Sequence, residues 1–255
     1  MTLAARGLTL RVPGRTLVDT LEIEVKAGER WAVLGPNGAG KSSVLAALAG
    51  LRAAAGGAVT LEGRRVSEYG RRDLARHVGI LLQDEPESFW GSTLDYVRLG
   101  AIARGATGFT SDPAIDRDAR DAIAALDLGT RAAQPYRTLS GGERQRARIA
   151  QLLVQAPGYL LLDEPLTHLD LRHQLATLER LVALAHEGRA VVMALHEPWL
   201  AARYCDHALL LYDSARFSAG PAETLLRREP LEQLYGCTLE AFAEAGRRLF
   251  PPVST

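Results

Sequence analysis

The chain has 255 residues, 47% of them hydrophobic, enough apolar side chain to bury one large core or two small ones and to exclude disorder as the main state. Lys+Arg and Asp+Glu each total 30, giving a net charge of zero, so no global basic field exists to gather nucleic acid or an anionic membrane. Lys26 and Lys41 are the only lysines, the other basic residues being arginine, and a lysine kept against that bias calls for a specific reason. Cys205 and Cys237 lack any CxxC spacing and suggest neither a disulfide framework nor a zinc site, which fits a reducing cytoplasm. The opening MTLAARGLTLRVPG has no charged head followed by an apolar core, and no window reaches the roughly 18 apolar residues of a membrane span. The expectation is a soluble chain, or one held at a membrane only by a partner.

In chain order, residues 8–10 and 21–25 alternate apolar and polar side chains as half-buried strands do, predicting a small antiparallel sheet. Residues 31–35, WAVLG, form a short apolar run that stops at a glycine-rich turn and continues as a helix-like stretch over 42–50. Further apolar runs at 159–163, 190–196 and 207–212 alternate with helical segments, which predicts a parallel sheet covered on both faces. Between Asp84 and Gln155 no strand-like run intervenes, and DPAIDRDARDAIAALDL has helical spacing and many alanines. The expected organisation is a single domain over 1–255. Residues 1–83 and 157–226 would form an α/β core with the antiparallel β-subdomain, 84–156 a helical subdomain, and 227–255 a charged tail.

GPNGAGKS, residues 35–42, matches GxxxxGK[ST] between a predicted strand and a predicted helix. Gly35, Pro36, Asn37, Gly38, Ala39 and Gly40 would curl the backbone so that successive amides, with the helix dipole, cradle α and β phosphates. Lys41 would reach the β and γ phosphates, the Ser42 hydroxyl would bind Mg2+, and Ser43 would extend the cradle. Lys26, before a turn at Gly28, reads as solvated surface. YLLLDEP sets Asp163 and Glu164 at the carboxyl end of a buried strand, where open α/β sheets form their ligand crevice. Asp163 suits a Mg2+ site, and Glu164 suits polarising a water for in-line attack on a γ-phosphate.

LSGGERQR, residues 139–146, is the most specific segment. With the two motifs above, the chain resembles the nucleotide-binding subunit of ATP-binding cassette (ABC) transporters over nearly all of residues 2–225. The resemblance implies an α/β fold: a P-loop NTPase (RecA-like) core, an N-terminal antiparallel β-subdomain and an inserted α-helical subdomain. It implies that Ser140, Gly141, Gly142 and Glu143 close over ATP held by a second copy, so that a homodimer shares two sites. By match, Gln83 is the glutamine that touches Mg2+ and the water site and links to the permease. Thr167, Leu169 and Asp170 are expected to pack across the dimer, and His196, 32 residues beyond Glu164, to contact the γ-phosphate and position Glu164. Where the family stacks adenine on an aromatic residue, this chain has Val12, and Trp31 belongs to the strand entering the phosphate loop; unless Arg15 covers the base, weak adenine selectivity and a modest ATP affinity are expected. Phe89 and Trp90, in a polar loop after Gln83, would either anchor the permease's coupling helix or pack inside the helical subdomain.

Three function classes compete: an importer subunit, a soluble DNA-maintenance ATPase of the same superfamily, and a scaffold without turnover. Lys41 and Ser140 are only 99 residues apart, with no room for the large insertions of the DNA-maintenance class, and Glu164 and His196 are both present, unlike in scaffolds. A free-standing cassette favours import over export, and the short stretch after the last core strand leaves out the regulatory β-domain of many sugar-uptake ATPases. LDLRHQ (169–174), RRDLARHVGILLQ (71–83), YCDHALLLY (204–212) and LYGCTLEAFAEAGRRLF (234–250) resemble the siderophore, haem and cobalamin branch, nearest to its cobalamin members. The resemblance thus implies an ATP- and Mg2+-dependent ATPase at the cytoplasmic face of the inner membrane. Its implied partners are two transmembrane permease subunits and an extracytoplasmic binding protein, with no nucleic acid.

Overall fold

The computed structural model describes residues 2–83, 89–106 and 112–239, together with the backbone of 242–244 and 247–249. The expected start of the helical subdomain at Asp84 and most of the tail beyond Leu239 lie outside the described residues. Strands β1 (Thr2–Val12) and β2 (Arg15–Lys26) pair antiparallel, with Leu3 opposite Val25 and Ala5 opposite Ile23. After β3 (Arg30–Leu34) and α1 (Lys41–Leu48), the chain returns to the same sheet as β4 (Gly56–Leu61) and β5 (Arg64–Arg65), in the order β2-β1-β4-β5. The antiparallel subdomain is as predicted, but β4 and β5 were not readable: one opens on two glycines, the other is two arginines, and neither has an alternating pattern of useful length.

The central sheet takes β3 and then β6 (Val78–Leu81), which follows α2 (Arg71–His77) without a turn. The insertion contributes α3 (Thr93–Arg98), α4 (Pro113–Ala124) and α5 (Gly141–Gln155), and the core resumes with β7 (Tyr159–Asp163), α6 (Leu171–His186), β8 (Ala190–Ala194), α7 (Pro198–Tyr204) and β9 (His207–Leu211). A last strand, β10 (Phe217–Pro221), closes one edge, giving the order β10-β9-β3-β8-β7-β6. Five of these strands are mutually parallel, the four expected ones and β6, which the sequence reading did not include; β10 runs antiparallel to β9. FSAGP has little apolar character because an edge strand can expose its backbone and end in proline.

The apolar runs are explained by burial on both faces. Trp31, Val33, Tyr159, Leu161, Val192 and Leu209 face a core shared with α1 and the antiparallel sheet. Ala32, Leu34, Leu160, Leu162, Val191, Met193 and Leu210 face a second core, shared with α5, α6 and the inserted helices. Between the chain's charged residues, α8 (Arg228–Tyr235) brings Leu231 and Leu234 to that second core, joined by Leu239. The stretch after the last strand is thus folded onto the body as far as Leu239.

Close packing of the insertion depends on Gly100, just after α3. A Cβ there would lie 2.1 Å from the Gln151 carbonyl and 2.9 Å from the Gln155 nitrogen of α5. Backbone cannot step aside as a flexible side chain can, so Gly100→Ala should lower unfolding stability by about 3 kcal/mol or more, read by chemical denaturation.

Candidate nucleotide site

The phosphate loop leaves β3 at Leu34 and enters α1 at Lys41. Gly38 and Gly40 take φ of 78° and 105°, a left-handed backbone that a side chain would strain. No side chain caps the start of α1 and no acidic residue lies in its first turn, so its amides and positive dipole end are unspent and suited to an anion. Lys41 is buried, and its Nζ donates to the carbonyls of Gly35 (2.9 Å) and Pro36 (3.4 Å). Burial holds the ammonium pKa below its ordinary value, with Glu164 and Asp163 opposing the shift.

Asp163, the last residue of β7, is 1% exposed, and its Oδ1 has no hydrogen-bond partner among the described residues. Burial raises its pKa, against the hydrogen bonds from the Ser42 hydroxyl and the Gln83 backbone and the charge of Lys41. An orphaned carboxylate oxygen beside a serine hydroxyl and a phosphate cradle is an all-oxygen donor set, which fits Mg2+ held by one carboxylate with phosphate oxygens. Glu164 follows with φ of 50°, a left-handed conformation costing a non-glycine residue on the order of 1 kcal/mol. That conformation accompanies a convergence on its carboxylate. Gln83 Nε2 donates to Oε2 at 3.2 Å, Thr167 Oγ1 stands 3.4 Å from the same oxygen, and His196 Nε2 is 2.7 Å from Oε1. The sequence-predicted Gln83, Glu164 and His196 thus meet on one carboxylate.

These side chains line a cleft of about 500 Å³ with Asn37, Gly38, Gly40, Lys41, Ser42 and Ser43. Val12, Arg15 and the buried Leu17 line it as well. Arg15 Nη2 lies 3.6 Å from Asp213 Oδ1. Trp31 is buried and stacked on His207 at 4.7 Å, so it offers no platform for a base.

Ser140, Gly141, Gly142 and Glu143 do not line this cleft. Ser140 caps α5 in a reciprocal capping box: its Oγ accepts the Glu143 N–H at 3.3 Å, and Glu143 accepts the Ser140 N–H at 2.8 Å. Arg131 Nε also donates to Glu143, at 2.7 Å. The Ser140 N–H first, and then Arg131 and the Ser140 hydroxyl, hold the Glu143 carboxyl below its usual range, with burial opposing. Glu143 was expected to reach ATP from across a dimer; within this chain its carboxylate is spent shaping the helix start. Leu169, expected to pack across a dimer, is instead buried in its own chain, with its Cδ2 3.6 Å from where a Gly142 Cβ would stand. Asp170 caps α6 through the His173 N–H at 2.9 Å.

Phe89 and Trp90 part company. Phe89 meets Tyr96 and Tyr136 edge-on, at 5.4 and 6.1 Å, and those tyrosines stack at 3.9 Å. Trp90 is 78% exposed, with the Arg137 guanidinium 4.6 Å from its ring centre. The packing alternative therefore holds for Phe89, and surface exposure for Trp90. Sequence reading missed Gln145 and Arg148 of α5, which reach the Glu164 and Gln83 backbones. Their only sequence signal is that both lie on one face of the helix opened by the signature motif.

The ABC transporter family profile matches residues 18–167. A hemin import ATP-binding protein from Streptomyces coelicolor is 39% identical over 239 residues, 94% of this chain and 85% of that protein. Its counterpart from Pseudomonas aeruginosa is 38% identical, over 92% of each chain. Among solved structures, an inward-facing metal-chelate type ABC transporter superposes with a TM-score of 0.84 at 26% identity, covering 99% of this chain and 98% of that one. An ATP-bound Atm1-family bacterial ABC exporter gives 0.78 at 26% identity, covering 92% of this chain and 41% of that one. The chain belongs to the ABC transporter family, as an ATP-binding, ATP-hydrolysing subunit. No helix among the described residues is long and apolar enough to cross a membrane.

The contrast between neighbouring aromatics is measurable. Phe89→Ala should cost roughly 2–3 kcal/mol of unfolding stability, and Trp90→Ala less than about 1 kcal/mol, by denaturant titration.

Proposed function

We propose that this chain is the energising subunit of an importer for haem or a similar iron chelate, working as a homodimer on the cytoplasmic face of the inner membrane beneath two permease subunits. An extracytoplasmic binding protein would deliver the ligand. Import rests on the hemin import relatives, which match nearly the whole chain. The same relatives move the preferred cargo from cobalamin to haem. No nucleic-acid role is supported: the net charge is zero.

The convergence of Gln83, His196 and Thr167 on the Glu164 carboxylate carries the hydrolytic reading. Residues Gly35 to Ser43 hold the phosphates, Lys41 releasing its loop carbonyls to reach the β and γ groups. Glu164 polarises the attacking water, His196 and Gln83 fix the carboxylate's orientation, and the γ-phosphate lies in line between water and leaving group. Ser42 and Asp163, with Gln83 through its Oε1, would hold Mg2+, which when bound neutralises phosphate charge. Because the signature turn does not line its own chain's cleft, Ser140, Gly141 and Gly142 serve the site of a second copy, with Thr167 and Asp170 placed beside the junction. Exposed Trp90 suits the contact with the permease.

Glu164→Gln should reduce steady ATP hydrolysis by at least about a hundredfold while ATP binding persists and a dimer accumulates in size-exclusion chromatography; near-normal turnover would remove Glu164 from its role. Base stacking on an aromatic is worth roughly 1–3 kcal/mol, and the cleft here offers Val12 and Arg15 instead. The kcat/KM values for ATP and GTP should therefore differ by less than about tenfold, and a hundredfold preference for ATP would overturn that reading.

A further inference from the structure

We infer that Arg148 and Gln145 are positioning residues for hydrolysis, holding Gln83 and Glu164 in register from the helix that carries the signature. The inference rests on the reading of Glu164 above and deepens it. Gln145 is buried on α5 and donates from Nε2 to the Glu164 carbonyl at 3.2 Å. One turn on, Arg148 donates from Nη1 to Gln145 Oε1 at 3.1 Å and to the Gln83 carbonyl at 3.5 Å, and from Nη2 to the Leu82 carbonyl. The Gln83 side chain returns to the Glu164 carboxylate at 3.2 Å. The four residues close a ring: Gln83 to Glu164 to Gln145 to Arg148 and back to Gln83.

Each link restrains something the neighbouring elements leave loose. The β6–β7 ladder ends at Leu81 opposite Leu162, so Leu82 and Gln83 lie past its last pair. Arg148 spans both of their carbonyls with one planar fork, which a point-charge ammonium could not do. Gln145 has one workable orientation, because a flipped amide would set NH2 against the guanidinium and Oε1 against the Glu164 carbonyl. Glu164 is therefore held at its main chain by α5 and at its carboxylate by Gln83, itself held by α5. Any shift of α5, whose first turn presents Gly141 and Gly142, reaches the water-polarising carboxylate along two routes.

The test is steady-state kinetics and fluorescent ATP-analogue binding on the purified chain. Arg148→Leu should lower kcat by about tenfold or more, as misplacement of a catalytic group does, while KM and analogue affinity stay within about twofold of the parent. Arg148→Lys should recover part of the loss. In a Gln83→Ala background, where the carboxylate route is already broken and only the Gln145 route remains, Arg148→Leu should lower kcat by a clearly smaller factor than in the parent. Unchanged kcat in Arg148→Leu, or an equal loss in both backgrounds, would overturn the inference. If Arg148→Leu does not fold, Gln145→Glu serves in its place: it is isosteric, keeps a partner for Arg148 and opposes the Glu164 carbonyl, so the same fall in kcat is expected and a normal kcat is fatal. An inactive Glu164→Gln beside a normal Arg148→Leu would sink this inference alone, whereas an active Glu164→Gln would sink the reading beneath it.

Discussion

The rest of the structure depends on the flush register of the parallel strands. Val33 and Asp163 both stand opposite Ala194, and Leu162 stands opposite Leu81. The residues just beyond these strand ends therefore emerge at one height along one edge of the sheet. Gly35 opens the phosphate loop there, Glu164 follows Asp163, Gln83 follows the end of β6, and His196 follows the end of β8. A slip of one residue in any pair would turn that strand's side chains to the opposite core. Two-sided burial forbids such a slip, so the same apolar packing that stabilises the core also assembles the site.

The site then joins strong and weak elements. Lys41 and Asp163 are buried charged groups of opposite sign whose titration is displaced by burial; Lys41 is satisfied by two loop carbonyls, whereas Asp163 Oδ1 has no partner among the described residues. Glu164 stands on a left-handed residue and is met by Thr167 of its own loop and by Gln83 and His196 from two other segments. The signature turn, by contrast, is satisfied within its own chain by a capping box and Arg131, and its glycines lie half-buried against His168. Phe89 and its tyrosine pair fasten the insertion near the end of the Gln83 loop, while Trp90 stays in solvent.

Function in this family divides along the same line. ATP chemistry is carried by short segments whose residue types are dictated by phosphate, cation and water, so their spacing is readable. Cargo is met by other chains, and nothing in the nucleotide cleft discriminates haem from cobalamin. The cargo preference accordingly moved with the relatives.

By itself the sequence determined the α/β class, the antiparallel opening, the buried nature of four apolar strands, and the segments that carry Lys41, Asp163, Glu164, Gln83 and His196. Those features are local: a glycine loop before a helix, an acidic pair at a strand end and a continuous apolar run each carry their cause within a few residues. Only the tertiary structure decided what depends on distant partners. The glycine-led β4 and the edge strand β10 are strands because neighbours supply their ladders. Glu143 and Leu169 turn inward because Arg131 and Gly142 meet them there. Phe89 and Trp90, adjacent and alike in sequence, separate into core and surface because only one of them faces Tyr96 and Tyr136. The ring through Gln145 and Arg148 exists because folding brings α5 against two strand ends far from it in the chain, a closeness that no spacing within the motif encodes.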